Sequence, residues 1–199
     1  MIGTAMRGLL CAAMVTALAC PPLAARAGEG EIAPQLAPAD DGVLRTLGEG
    51  EAAIAAGDYD ALLLAGQFLR ALGATPAEGQ PDLASEWIAQ ARAHGVTRAG
   101  LGARGRALGP AYRRGVLATG DSFSMQQLFL AGQPARISVA AGGSGLSVQV
   151  RDADGTTLCE KPVDGRQTDC VWMPAFTGRF DIVIQNGGAG PAHFHLVVR

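Results

Sequence analysis

Lysine is almost missing from this chain. Lys161 is the one ammonium side chain in 199 residues, and no basic run stands in for it. That excludes the polybasic footprint of a nucleic-acid binder. Aromatic residues make up only 5% of the chain, so few rings are available to stack on carbohydrate. Histidine occurs three times, as His94, His193 and His195, too sparsely for a His-rich metal tract. No Cys-x-x-Cys redox pair occurs, no Gly-rich phosphate loop follows a strand, and no Gly-x-Ser-x-Gly elbow is present. Beyond the N-terminus no apolar run approaches the roughly 20 residues that a membrane-spanning helix needs.

What is present begins with an export signal. Arg7 supplies a positive n-region, and residues 8–19 form a short apolar stretch ended by Pro21-Pro22. Ala25-Arg26-Ala27 places small residues where a signal peptidase reads, which predicts cleavage between Ala27 and Gly28. A rival processing route is lipidation. Ala17-Leu18-Ala19-Cys20 is a loose lipobox, and an acylated Cys20 would tether the chain. Ala17 stands where such signals usually carry Leu, so simple cleavage ranks first. The expected location is the periplasm or beyond.

Cleavage changes the arithmetic. Arg7 and Arg26 leave, so 14 basic side chains face 18 acidic ones, a formal charge of −4. Cys11 and Cys20 leave too. Cys159 and Cys170 remain as a lone pair, which in an oxidising compartment is most simply a disulfide.

The mature chain reads as two halves with different periods. Residues 28–40 lack periodicity and form a flexible leader. Residues 41–95 are helical. Val43, Leu44 and Leu47 open one face, which Ala52, Ala53 and Ile54 continue, although Gly48 and Gly50 weaken that helix. Asp58 is an N-cap signal. Ala61, Leu62, Ala65, Phe68, Leu69 and Leu72 follow as one stripe, stopped at Gly73. Asp82 caps the next helix, with Leu83, Trp87, Ile88 and Ala91 inward and Gly95 as its end. Ala65, Phe68, Leu69 and Gly73, with Asp82, Ala84, Trp87, Ala91 and Gly95, resemble one tetratricopeptide-type repeat of the Sel-like subtype. The resemblance implies a packed helical hairpin over about residues 58–95. A single repeat does not imply a peptide groove.

Residues 96–114 form a Gly/Arg-rich connector carrying Arg98, Arg104, Arg106, Arg113 and Arg114. A solvated linker is the first reading, and contact with an anionic partner is the second.

From Gly115 to Arg199 the period is two. Ile137, Val139 and Ala141, then Leu146, Val148 and Val150, then Phe180, Ile182 and Ile184, then Phe194, Leu196 and Val198 alternate with polar or small residues. Turn signals separate them at 141–145, 152–155, 164–165 and 186–191. About eight short strands at this spacing predict an antiparallel β-sandwich. Ala131-Gly132 before a strand, Leu146-Ser147-Val148-Gln149-Val150 leading into Asp152-x-Asp154-Gly155, and Thr177-Gly178-Arg179-Phe180 leading into Ile184-Gln185-Asn186 resemble the bacterial pre-peptidase C-terminal domain family. That resemblance implies a jelly-roll-like sandwich and an accessory role beside secreted hydrolases, in secretion, substrate adhesion or stability. Some members bind calcium through carboxylates ahead of the first strand. Here that segment is Arg-rich, with Asp121 alone near it, and no calcium site is carried over.

Candidate chemistry is thin. Ser144 and the Asp152–Gly155 stretch read as hairpin turns, since the later EF-hand ligands are missing. Asp58, Asp60 and Glu86 suit helix termini, and His94 suits a helix C-terminus. Trp172 belongs either in the core near the disulfide or on the surface as a platform, with the core preferred. His193 and His195 lie two apart in a strand and share a face, so they are a candidate zinc or copper pair. Two solvent-facing histidines are the preferred reading. The overall expectation is an α+β protein, with a helical hairpin region before a disulfide-tied sandwich. Its expected role is a non-catalytic binding or accessory module, without a cofactor, for an envelope protein or polysaccharide. The rivals are a secreted hydrolase or hydrolase inhibitor, using a cleft between the halves, and a metal-binding protein using His193 and His195.

Overall fold

Burial of both faces of the last strand, Ala192–Val198, organises this fold. The computed structural model describes residues 41–97, 109–163, 165 and 167–199. The predicted signal peptide, Cys20, the leader, Arg98, Arg104, Arg106 and Asp164 lie outside the described residues. Among the described residues the chain runs α1 (Gly42–Ala56), α2 (Tyr59–Ala71), β1 (Thr75–Pro76), α3 (Leu83–Ala93), β2 (Ala111–Leu117), β3 (Ser122–Phe129), β4 (Ala135–Gly142), β5 (Leu146–Arg151), β6 (Thr157–Pro162), β7 (Thr168–Trp172), β8 (Gly178–Asn186) and β9 (Ala192–Val198).

The strands form two sheets, in the orders β1-β2-β9-β4-β7 and β3-β8-β5-β6. Without the two-residue β1, this is the strand order of an eight-stranded jelly roll. Ile137, Val139, Phe194 and Leu196 of one sheet meet Val148, Val150, Ile182 and Ile184 of the other in the sandwich core. These are the positions whose period of two marks a buried face. The Cys159–Cys170 disulfide joins β6 to β7, the edge strands of opposite sheets. It closes one open side of the sandwich.

The first sheet is covered on its other face as well. Tyr112 and Val197 from that face share a core with Val43, Leu47, Leu62, Leu69 and Trp87 of the helices. The α1 helix lies over β9 and β4. Asp41 caps α1 by accepting from Val43 N and Leu44 N, and its second oxygen meets the Arg199 guanidinium at 3.1 Å. The Asp41 amide donates to Gln167 Oε1 at 2.6 Å. Tyr112 Oη accepts from Leu83 N at 2.9 Å, which pins the start of α3 to β2. The described residues accordingly belong to one compact unit.

Several expectations change here. The helical part is a layer of three helices in which α2 packs against α3 and α1 is the helix that seats on the sheet. Gly48 and Gly50 do not interrupt α1. A Cβ on Gly50 would sit 2.2 Å from the Trp87 ring, so glycine is what lets that ring lie against the helix. Phe68, assigned a packing position, is 46% exposed, while Leu63 is buried with Ile88 and Ala91. The α2 helix is flanked by α1 and α3, so its apolar face turns toward both neighbours. The first sandwich strand starts at Ala111, which places Arg113 and Arg114 in β2 rather than in a connector.

Asn186 ends β8 as a buried bracket, not merely a turn residue. Its Nδ2 donates toward Leu117 O, Ala118 O and Gly190 O, and its Oδ1 accepts from Gly188 N. Asn186→Ala leaves those groups without partners and should cost about 1–3 kcal/mol. Urea unfolding checks this, and an unchanged midpoint would refute the bracketing role.

Candidate functional site

The outer face of the β2–β9–β4 sheet is laid out in rows. Tyr112, Val197 and Ser138 form one, Arg114, His195 and Ala140 the next, and Val116, His193 and Gly142 the third. Helix α1 covers the first row and reaches the second, leaving the third open. An open cleft of about 600 Å³ lies along this margin. Glu51 of α1 stands on one wall, with Gln80 and Pro81 of the α2–α3 connection on another. Arg114, Val116 and His193 line its sheet side.

His195 is the side chain that α1 seals. His195 Nε2 and Glu51 Oε1 lie 3.0 Å apart, with the imidazole 9% exposed and the carboxylate 40% exposed. An ionised carboxylate only accepts, so Nε2 carries the proton in this pair. The hydrogen bond from His195 holds the Glu51 carboxyl below its ordinary value, against desolvation, and the charges of His195, Arg114 and His193 act in the same direction. The expectation of two solvent-facing histidines is therefore corrected for His195. The outer sheet face is not solvent but the seat of α1. His193 is exposed in the cleft, as expected.

A parallel arrangement anchors the far side of the sheet. Desolvation pushes the Asp169 carboxyl up, but hydrogen bonds from Arg136 and Gln167 outweigh it and hold the group below its ordinary value. Arg136 meets Asp169 at 2.7 Å. Carboxyls depressed in the folded state stabilise it above their unfolded-state values, and that stability is lost as pH falls through the folded values. Acidification through and below the ordinary carboxylate range should thus loosen the α1–sheet clamp. Glu51→Gln removes one of these groups, so its unfolding midpoint should fall less steeply with acid than that of the parent. Equal slopes from neutral to acid pH would show that the Glu51–His195 bond contributes nothing.

The remaining candidates fall into place singly. Ser144 is exposed in the turn between β4 and β5. Asp152 Oδ1 accepts from Asp154 N and Thr156 N, so its carboxylate builds a turn. Asp58 and Asp82 are N-caps, and Asp60 and Glu86 lie in first turns. His94 caps α3 and stacks on Tyr59 with ring centroids 3.7 Å apart. Trp172 packs against Phe129 and Phe180 at the end of the sandwich core, as preferred. Among the described residues no group of three or more His, Cys, Asp or Glu side chains is arranged to hold a metal ion.

Glu51 and Gln80 were not legible as site residues, and Arg114 was legible only within an Arg-rich segment whose second reading is contact with an anionic partner. One sequence signal does point at this face. Leu196-Val197-Val198 breaks the alternation with an unbroken apolar run, the mark of a strand buried on both sides. Here the second cover is the helical layer, and the cleft lies along its margin.

No family model matches this chain, and no curated protein matches it by sequence. Among solved structures it is similar to the pre-peptidase C-terminal domain of collagenase from Bacillus anthracis. That likeness has a TM-score of 0.41 and 15% identity, covering 45% of this chain and 89% of that one. It is also similar to PliG of Aeromonas hydrophila, a periplasmic inhibitor of g-type lysozyme, with a TM-score of 0.34 and 16% identity over 45% of this chain and 86% of that one. A carbohydrate-binding module of Cellvibrio mixtus lichenase 5A, in complex with cellotriose, matches with a TM-score of 0.29 and 15% identity, over 42% and 72% of the two chains. The chain's own strand order carries the jelly-roll assignment.

Proposed function

We propose that this chain is an exported, non-catalytic binding or accessory module of the bacterial envelope. It receives a protein or polysaccharide partner in the cleft beside α1. The observation that carries this reading is the cleft itself. Side chains of both signs converge there from rigid elements, beside apolar Val116 and Pro81. A few polar groups placed over an apolar floor fix a ligand's orientation. The disulfide suits an oxidising compartment. Among the described residues no helix is long and apolar enough to cross a membrane.

One observation favours a hydrolase as second reading. Glu51 lines a cleft between the helical layer and the sandwich and is hydrogen-bonded to the buried His195 behind it, a carboxylate–imidazole pair of the kind acid–base chemistry uses. The test uses the chain from Gly28 on a glycan microarray and on immobilised envelope proteins. Binding that Arg114→Glu abolishes is the expected result. Turnover of a glycan or peptide substrate that disappears in Glu51→Gln would replace the binding reading with the hydrolase. Stoichiometric metal in untagged protein, lost when His193 and His195 are both changed to Ala, would replace it with the metal-binding one.

A further inference from the structure

The cleft borders an unfinished sheet edge. Strand β1 pairs with β2 only at Ala111 and Tyr112. Beyond it, Ala77 N donates to Tyr112 O at 2.8 Å, and Arg114 N donates to Gln80 Oε1 at 3.0 Å. Both bonds run away from β9, so the even-numbered residues of β2 turn their backbone groups outward. With a period of two, the Arg114 carbonyl and both backbone groups of Val116 face the same way. They have no partner among the described residues. Gln80 shows what this edge takes, since its side-chain carbonyl stands where a neighbouring strand's carbonyl would be.

Side chains beside the edge restrict the occupant. Arg114 is exposed, and its guanidinium forms no ion pair among the described residues. Val116 is 58% exposed, although it is a β-branched apolar residue in a strand. Arg114 and Val116 are two apart and project from one face. An added strand would place its own side chains opposite them, two residues apart, and cross-strand pairs of opposite charge and of apolar residues are the favourable ones.

We infer that the partner is an extended peptide segment of another protein, which adds as a strand to the β2 edge beyond Gln80. It carries an apolar residue opposite Val116 and, two residues along, an acidic residue within reach of the Arg114 guanidinium beside Gln80. This rests on the binding reading above and selects the protein partner over the polysaccharide. Main-chain hydrogen bonds hold the segment, and the alternate side chains select it. An edge strand with unpaired backbone groups is a template for such addition.

The experiment is fluorescence anisotropy with the chain from Gly28 and short labelled peptides of alternating threonine. The lead peptide has glutamate and valine two residues apart. One control replaces the glutamate with lysine, and a second is N-methylated at alternate backbone amides. The lead peptide should bind, and each control should bind at least about tenfold more weakly, the loss of one or two net hydrogen bonds or a charged pair. Arg114→Glu should reverse the preference between glutamate and lysine peptides. Val116→Pro, which deletes an outward amide, should weaken all of them. An N-methylated peptide that binds as well as the lead overturns strand addition. If no peptide binds but a glycan does, and Arg114→Glu abolishes it, strand addition fails while the binding cleft stands. If neither binds, both fail.

Discussion

Trp87→Ala should lower the unfolding free energy by about 3–5 kcal/mol, the cost of emptying a large aromatic site in a packed core. Trp87 is 2% exposed and shares its core with Tyr112 and Val197 of the sheet. Helix and sandwich are therefore expected to lose stability together, in one transition, when urea unfolding is followed by circular dichroism and by fluorescence. Two separated transitions would show that the helical layer and the sandwich fold independently. Gly50 sharpens the test. In the parent, Gly50→Ala drives a methyl into the Trp87 ring and should cost about 1–3 kcal/mol, as overpacking does. In the Trp87→Ala background the space is vacant. There the same change should be neutral or stabilising by up to about 1 kcal/mol, the intrinsic preference of a helix for Ala over Gly. Additive effects in the double variant would mean that the ring does not occupy the glycine's space.

Removing the disulfide is the second large effect. Changing both Cys159 and Cys170 to Ala should cost about 3 kcal/mol, from the freedom restored to an unfolded loop of 11 residues' separation. A reductant should shift the parent's urea midpoint by a similar amount and leave the variant unmoved. No shift in the parent would refute the bond's role. The bond ties β7, at the opposite edge of the sheet from β2. Ligand binding in the cleft should therefore survive its loss wherever the protein remains folded.

Much of this was readable residue by residue. Asp58 and Asp82 cap helices because a short carboxylate reaches the free amides of the first turn. Ile182 and Ile184, or Val148 and Val150, alternate with polar neighbours because a strand buries one face at a time. Those patterns are local, and local chemistry produces them. Phe68 went wrong for a related reason. Its helix has neighbours on two sides, and a periodic stripe does not say which of them each residue meets.

The site is a different case. Glu51 and His195 are 144 residues apart and share no motif. Read locally, Glu51 belongs to a glycine-weakened helix, and His195 to the polar side of an alternating strand. Only their contact makes the histidine buried and the glutamate a clamp.

Composition and periodicity alone set the scarcity of lysine, the helix caps and the inward faces of both sheets. Each depends on composition or on a period of two or 3.6 residues. Tertiary structure alone decided that α1 lies across the outer face of the sheet, that Arg114 belongs to a strand, and that β2 keeps an unpaired edge beside a cleft. Periodicity marks a face as apolar or polar, but it does not name the element that covers it. That choice is made by long-range packing, here the Trp87 ring against Gly50 and the Asp41 carboxylate on Arg199.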